Sequence, residues 1–102
     1  MTSNSPKIIK FKYYQDPGHG WLAVKRKWLE DLKISTSISQ YSYQKGKTVY
    51  LEEDCDMMKF WKAMNASGYN IETIDVHHNT TSHIRSYEMY QGAWQTSQSR
   101  LE

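Results

Sequence analysis

The chain has 102 residues, and its 13 lysines and arginines against 11 aspartates and glutamates leave a net charge of +2. That length predicts one domain, and so small a charge excludes the strongly charged chains that mark nucleic-acid arms or acidic tails. Leu, Ile, Val and Phe total only 17 residues, but eight Tyr, four Trp and five Met supply bulk in their place, since one aromatic side chain buries about 150–250 Å².

Residues 1–6 read as a disordered polar lead before a single domain over 7–90. From Lys7 to Tyr14 apolar and polar residues alternate, with Ile9, Phe11 and Tyr13 on one side and Lys10, Lys12 and Tyr14 on the other. That is the pattern of a half-buried strand. Asp16-Pro17-Gly18-His19-Gly20 predicts a type II turn, in which proline presets the first central residue and glycine supplies the positive φ of the next. Trp21 to Val24 resumes the extended pattern and completes a hairpin. From Lys25 the period becomes helical, with Trp28, Leu29 and Leu32 on one stripe, until Ser35-Thr36-Ser37 breaks it.

Ile38, Tyr41 and Tyr43 form a second extended run, Gln44 to Lys47 its turn, and Thr48 to Leu51 the return strand. Glu52 to Asp56 opens a second helix, with Asp54 as its N-cap. Met57, Phe60, Trp61 and Met64 follow the spacing of a buried stripe, and Gly68 stops the helix in a left-handed conformation. Asn70 to Val76 is a fifth strand, and Ile84 to Tyr90 a short helical turn or strand. A polar tail covers 91–102, with Trp94 as its anchor, and Leu101-Glu102 resembles a vector scar. The order ββαββαβ predicts an α+β fold of two layers, a mainly antiparallel sheet with both helices on one face. If the other face carries Lys10, Lys12 and the tyrosines, it offers a surface for a partner or a second copy.

Lys25-Arg26-Lys27 places three cations where a helix dipole is already positive, with no capping side chain. Free amide hydrogens and surplus charge there predict an anion site, although a solvated charge run explains the same triplet. Residues 1–33 carry seven basic and three acidic residues, a local +4, while the remainder is −2. His19, between two glycines, reads as an imidazole on a tip or as a plain turn residue. Arg85 suits bidentate recognition of a carboxylate or phosphate, or a helical ion pair with Glu88. His77, His78 and His83 lack a recognised ligand spacing, and the acidic run 52–56 is explained as a helix start. No metal, cofactor or catalytic residue is expected. Cys55 reads as a small packing residue, since the surrounding carboxylates oppose a thiolate.

No apolar run approaches the roughly 18 residues of a membrane span, so no membrane partner is expected. A lone cysteine excludes an internal disulfide framework and points to a reduced, cytoplasmic setting. The strings Asp16-Pro17-Gly18-His19-Gly20-Trp21, Tyr41-Ser42-Tyr43-Gln44, Tyr50-Leu51-Glu52-Glu53-Asp54-Cys55-Asp56 and Ile84-Arg85-Ser86-Tyr87-Glu88 carry a resemblance. Over roughly residues 11–90 the chain resembles short uncharacterised proteins encoded by bacteriophages, plasmids and other mobile elements. The resemblance implies the cytoplasm of a bacterial host and no particular activity.

The expected function is non-enzymatic binding of a host protein. Its surface would combine Lys25, Arg26 and Lys27 with His19, Trp21, Arg85 and Tyr87, aromatic and arginine side chains being those that dominate contact surfaces. The alternative is nucleic acid bound to the same basic face, with Trp21, Trp28 or a sheet-face tyrosine stacking on bases. A third reading, a small enzyme using His19 and Arg85, requires those two segments to converge.

Overall fold

Alternation sets the first hairpin. The computed structural model describes residues 7–92, and in it β1 (Lys7–Gln15) pairs antiparallel with β2 (Gly20–Lys25). Phe11, Leu22 and Val24 turn to one face and are buried, with Ile9 and Tyr13 packed beside them. Because side chains alternate along a strand, Lys10, Lys12, Tyr14, Trp21, Ala23 and Lys25 turn to the other face.

Helix α1 (Arg26–Asp31) adds Leu29 to the core, and a 3-10 turn at Ser35–Ser37 leads to β3 (Tyr43–Lys45) and β4 (Thr48–Glu52). The extended run expected from Ile38 is thus a strand only from Tyr43. Asp56 reaches into the preceding loop instead, accepting hydrogen bonds from the Ser39 amide and from the Ser39 and Ser42 hydroxyls. Ile38 is buried, while Tyr41 is 70% exposed.

Helix α2 (Met57–Ala66) buries Phe60 and Met64 completely and packs Met57 and Trp61 against the same cluster as Leu22, Val24, Val49 and Leu51. Phe11 stands edge-on to both Phe60 and Trp28, with centroids 5.2 and 5.9 Å apart. Asp54 is not the N-cap. That position belongs to Asp56, whose carboxylate makes no capping bond because Ser39, Ser42 and Lys59 occupy it. Gly68, at φ +92°, ends the helix as the sequence predicts.

Strand β5 (Tyr69–His77) is followed by a 3-10 turn at His83–Ser86 and β6 (Glu88–Met89), so the last segment is turn and strand in succession. The six strands lie in the order β5-β1-β2-β4-β3-β6. β5 runs parallel to β1 in register from Lys7–Tyr69 to Gln15–His77, so the fold is α+β with a mixed sheet, not a mainly antiparallel one. The helix is the cause. A strand, a helix and a strand of the same sheet return the chain to its starting end, which makes the two strands parallel. β5 lands outside β1, where Ile71 faces Ile9, while Ile74 turns to the opposite side and is 47% exposed. No helix among the described residues is long and apolar enough to cross a membrane. The expected lead over 1–6, Trp94 and Leu101-Glu102 lie outside the described residues.

Candidate functional site

The β1–β2 tip is closed by a carboxylate. Asp16 Oδ1 accepts the amide hydrogens of Gly18 and His19, each at 3.0 Å, and neither Gly18 nor Gly20 has positive φ. The expected type II turn is therefore absent, because an aspartate side chain can itself template a turn. Asp16 Oδ2 accepts from the Ser82 amide at 2.9 Å and from Arg85 Nε at 2.7 Å. A second Arg85 nitrogen reaches Oδ1 at 2.9 Å, so Arg85 pairs with Asp16 and not with Glu88. The guanidinium and these amides hold the Asp16 carboxyl far below its ordinary range, against the opposing effect of burial.

These bonds strap the segment between β5 and β6 across the open face of the sheet. The His78 backbone amide donates to the Gln15 carbonyl, Arg85 lies 5.4 Å over the Trp21 ring, and Tyr87 packs on Tyr50 at 5.2 Å. Lys45 covers the Tyr87 ring at 4.9 Å. Next to the strap lies a cleft of about 210 Å³, lined by His19, Trp21, Tyr43, Glu52, Asp54 and Arg85 among others. The structure thus brings His19, Trp21 and Arg85 together from distant segments. Trp21 Nε1 is the one buried side-chain polar atom without a hydrogen-bond partner among the described residues.

Cys55 also lines this cleft and is exposed, so it is not a packing residue. Desolvation, a hydrogen bond to Glu52 and the neighbouring carboxylates push its thiol up, which opposes a thiolate there. Glu52 Oε1 accepts from the Asp54 and Cys55 amides, and its Oε2 faces His19 Nδ1 at 3.6 Å. The Tyr13 hydroxyl donates to Glu53.

At the other end of the open face the sheet parts. β1 and β2 pair only over Lys12–Gln15 and Gly20–Ala23, so the first half of β1 has β5 as its sole strand partner. A groove of about 440 Å³ occupies the gap, with Phe11, Val24 and Trp28 deep in it and Lys10, Lys12 and Lys25 around it. Tyr14 and Tyr50 line it as well, edge to face at 6.1 Å. Burial among Tyr14 and Tyr87 pushes the Tyr50 hydroxyl up, so it stays neutral. The ion pairs among the described residues are His19–Glu52, Lys27–Asp31, Lys59–Asp56 and Arg85–Asp16. Lys10, Lys12 and Lys25 enter none of them.

No family model, curated protein or solved structure matches this chain.

The predicted triplet divides. Arg26 turns inward, donating to Gln44 and to the Gln91 carbonyl and stacking on Tyr90 at 5.0 Å. Its amide, the first of α1, donates to the Lys47 carbonyl. Lys27 pairs with Asp31 one turn along, and only Lys25 joins the open face. Tyr87 sits on that face at the strap. Lys10, Lys12 and Tyr14 lie outward on β1, on the face where strand alternation set them as a surface for a partner, and Tyr50 joins them from β4; the expected set of binding residues had left out all four. His77, His78 and His83 are all exposed.

Proposed function

We propose that the protein is a non-enzymatic binding protein that holds single-stranded nucleic acid on its open sheet face. The observation that carries this reading is the groove between β1 and β2. Three lysines without ion pairs among the described residues surround an apolar floor, and two tyrosine rings stand beside it. Lysines neutralise phosphates while aromatic rings stack with bases of any sequence. A groove along the gap between two strands suits one extended strand, and its aromatic rings need unstacked bases. If the setting is that of a mobile element in a bacterial cytoplasm, as the resemblance implies, the bound strand belongs to the host or to the element.

Fluorescence anisotropy with labelled single- and double-stranded DNA and RNA, followed through a salt titration, tests the reading. Single strands should bind more tightly than duplex, with affinity falling as salt rises. Changing Lys10, Lys12 and Lys25 to Ala should flatten the salt slope by about 2, at about 0.7 per lost phosphate contact. Tyr50→Ala should weaken binding at every salt concentration. Absence of binding at low salt overturns this reading. Recovery of a host protein through the same lysines would then support the protein-binding alternative.

A further inference from the structure

We infer that the cluster of His19, Glu52, Glu53 and Asp54 at the β1–β2 tip, at the edge of the cleft, is a binding site for a divalent transition-metal ion. One ligand atom from each of the four lies within 4.8 Å of the others. Around an ion with bonds of about 2.1 Å, neighbouring ligand atoms stand ~3 Å apart and opposite ones ~4.2 Å. Small side-chain rotations therefore close the set.

Glu52 is the decisive residue. Its side chain is 10% exposed, and its Oε1 is taken by the Asp54 and Cys55 amides at 2.9 Å each. Its Oε2 is left facing His19 Nδ1 at 3.6 Å, too far for a hydrogen bond and suited to two atoms that share an ion. Glu53 is oriented in the same manner, since the Tyr13 hydroxyl holds its Oε1 and leaves the second oxygen for a ligand. Such outer partners are what fix the ligands of a metal site. Tyr13 lies on β1, outside the ligand set.

The charge is otherwise uncompensated. Glu52, Glu53 and Asp54 are consecutive carboxylates with no lysine or arginine ion pair among the described residues, and the guanidinium in the cleft is occupied by Asp16. Helix capping does not account for them either, since α2 begins at Met57 with Asp56 at its cap. One imidazole nitrogen with carboxylate oxygens favours Zn²⁺ or Mn²⁺ over Mg²⁺ and Ca²⁺, which prefer oxygen alone.

Isothermal titration of the full chain with ZnCl₂, MnCl₂, MgCl₂ and CaCl₂, alongside the His19 imidazole resonances by NMR, tests the site. One equivalent of Zn²⁺ or Mn²⁺ should bind in the micromolar range, Zn²⁺ shifting those resonances and paramagnetic Mn²⁺ broadening them. His19→Ala, on the exposed tip, and Glu52→Gln should each weaken binding by about tenfold or more. His77→Ala with His78→Ala should leave it unchanged. Binding that survives His19→Ala, or that is lost with His77 and His78, overturns the proposal, as does failure to bind below millimolar metal. None of these outcomes depends on the sheet face binding nucleic acid.

Discussion

Arg85 and Asp16, 69 residues apart in the chain, meet in a two-pronged ion pair, Nε to Oδ2 at 2.7 Å and a terminal nitrogen to Oδ1 at 2.9 Å. The same carboxylate closes the β1–β2 tip and holds the Ser82 amide, so one side chain joins hairpin and strap. Asp16→Ala leaves three amides and a guanidinium without their acceptor, and buried donors left unpaired are destabilising. Its melting temperature should fall by about 5–10 °C, measured by circular dichroism. Arg85→Ala should fall less, because the amides keep Asp16. Equal losses would show that the ion pair alone carries the joint.

Acid should loosen the same joint. Arg85 and the amides hold folded Asp16 well below its ordinary 3.8. For Asp56, burial raises the pKa, but bonds from Ser42, Ser39 and Lys59 outweigh it and leave the value lowered. In the unfolded chain both carboxylates take up protons near pH 4, whereas the folded chain resists. The stability they confer is present above that pH and is lost as pH falls toward the folded values. Urea unfolding between pH 6 and 2, both bounds being about those of acid linkage, should show stability falling with pH. Asp16→Asn should flatten that dependence.

Gly20 tests how closely the hairpin approaches its neighbours. A Cβ built there would collide with the Tyr13 hydroxyl oxygen and lie 2.5 Å from the ring carbon that bears it. Since Gly20 does not need positive φ, its role is space. Gly20→Ala must push the Tyr13 ring away from Glu53 and should destabilise by about 1–3 kcal/mol in chemical denaturation. Tyr13→Phe removes the hydroxyl in the collision, so the double variant should lose less than the two single losses added together. Full additivity would place the clash elsewhere.

Local chemistry made α2 legible: Phe60 and Met64 fall on its predicted stripe, and Gly68 stops it. Its start was misread because Asp54 and Asp56 are equally good caps by composition, and only the distant Ser39 and Ser42 decide what Asp56 does. The parallel direction of β5 follows from the helix before it, but its alternation carries no label for which strand it joins, and its pairing with β1 was not legible. Of the candidate site, His19, Trp21 and Arg85 do share a cleft. What joins them is Asp16, a residue that reads in sequence as an ordinary turn former. Its contact with Arg85 is a product of the strap's path, which no local pattern records.

Lys25 and Arg26 are neighbours in a basic triplet, yet they should respond to substitution in opposite ways. Arg26 holds Gln44 and the Gln91 carbonyl and stacks on Tyr90, whose hydroxyl donates to the Ser35 carbonyl. It therefore ties the start of α1 to the chain around β6. Arg26→Ala should cost about 1–2 kcal/mol of stability and change the salt dependence of nucleic-acid binding little. Lys25 lies exposed at the groove with no ion pair among the described residues. Lys25→Glu should leave the urea midpoint nearly unmoved and weaken single-strand binding several-fold at low salt, through one lost phosphate contact and one new repulsion. Paired denaturation and anisotropy measurements on the two variants separate these effects. If Arg26→Ala loses binding and keeps its stability, the groove is not the surface that holds the strand.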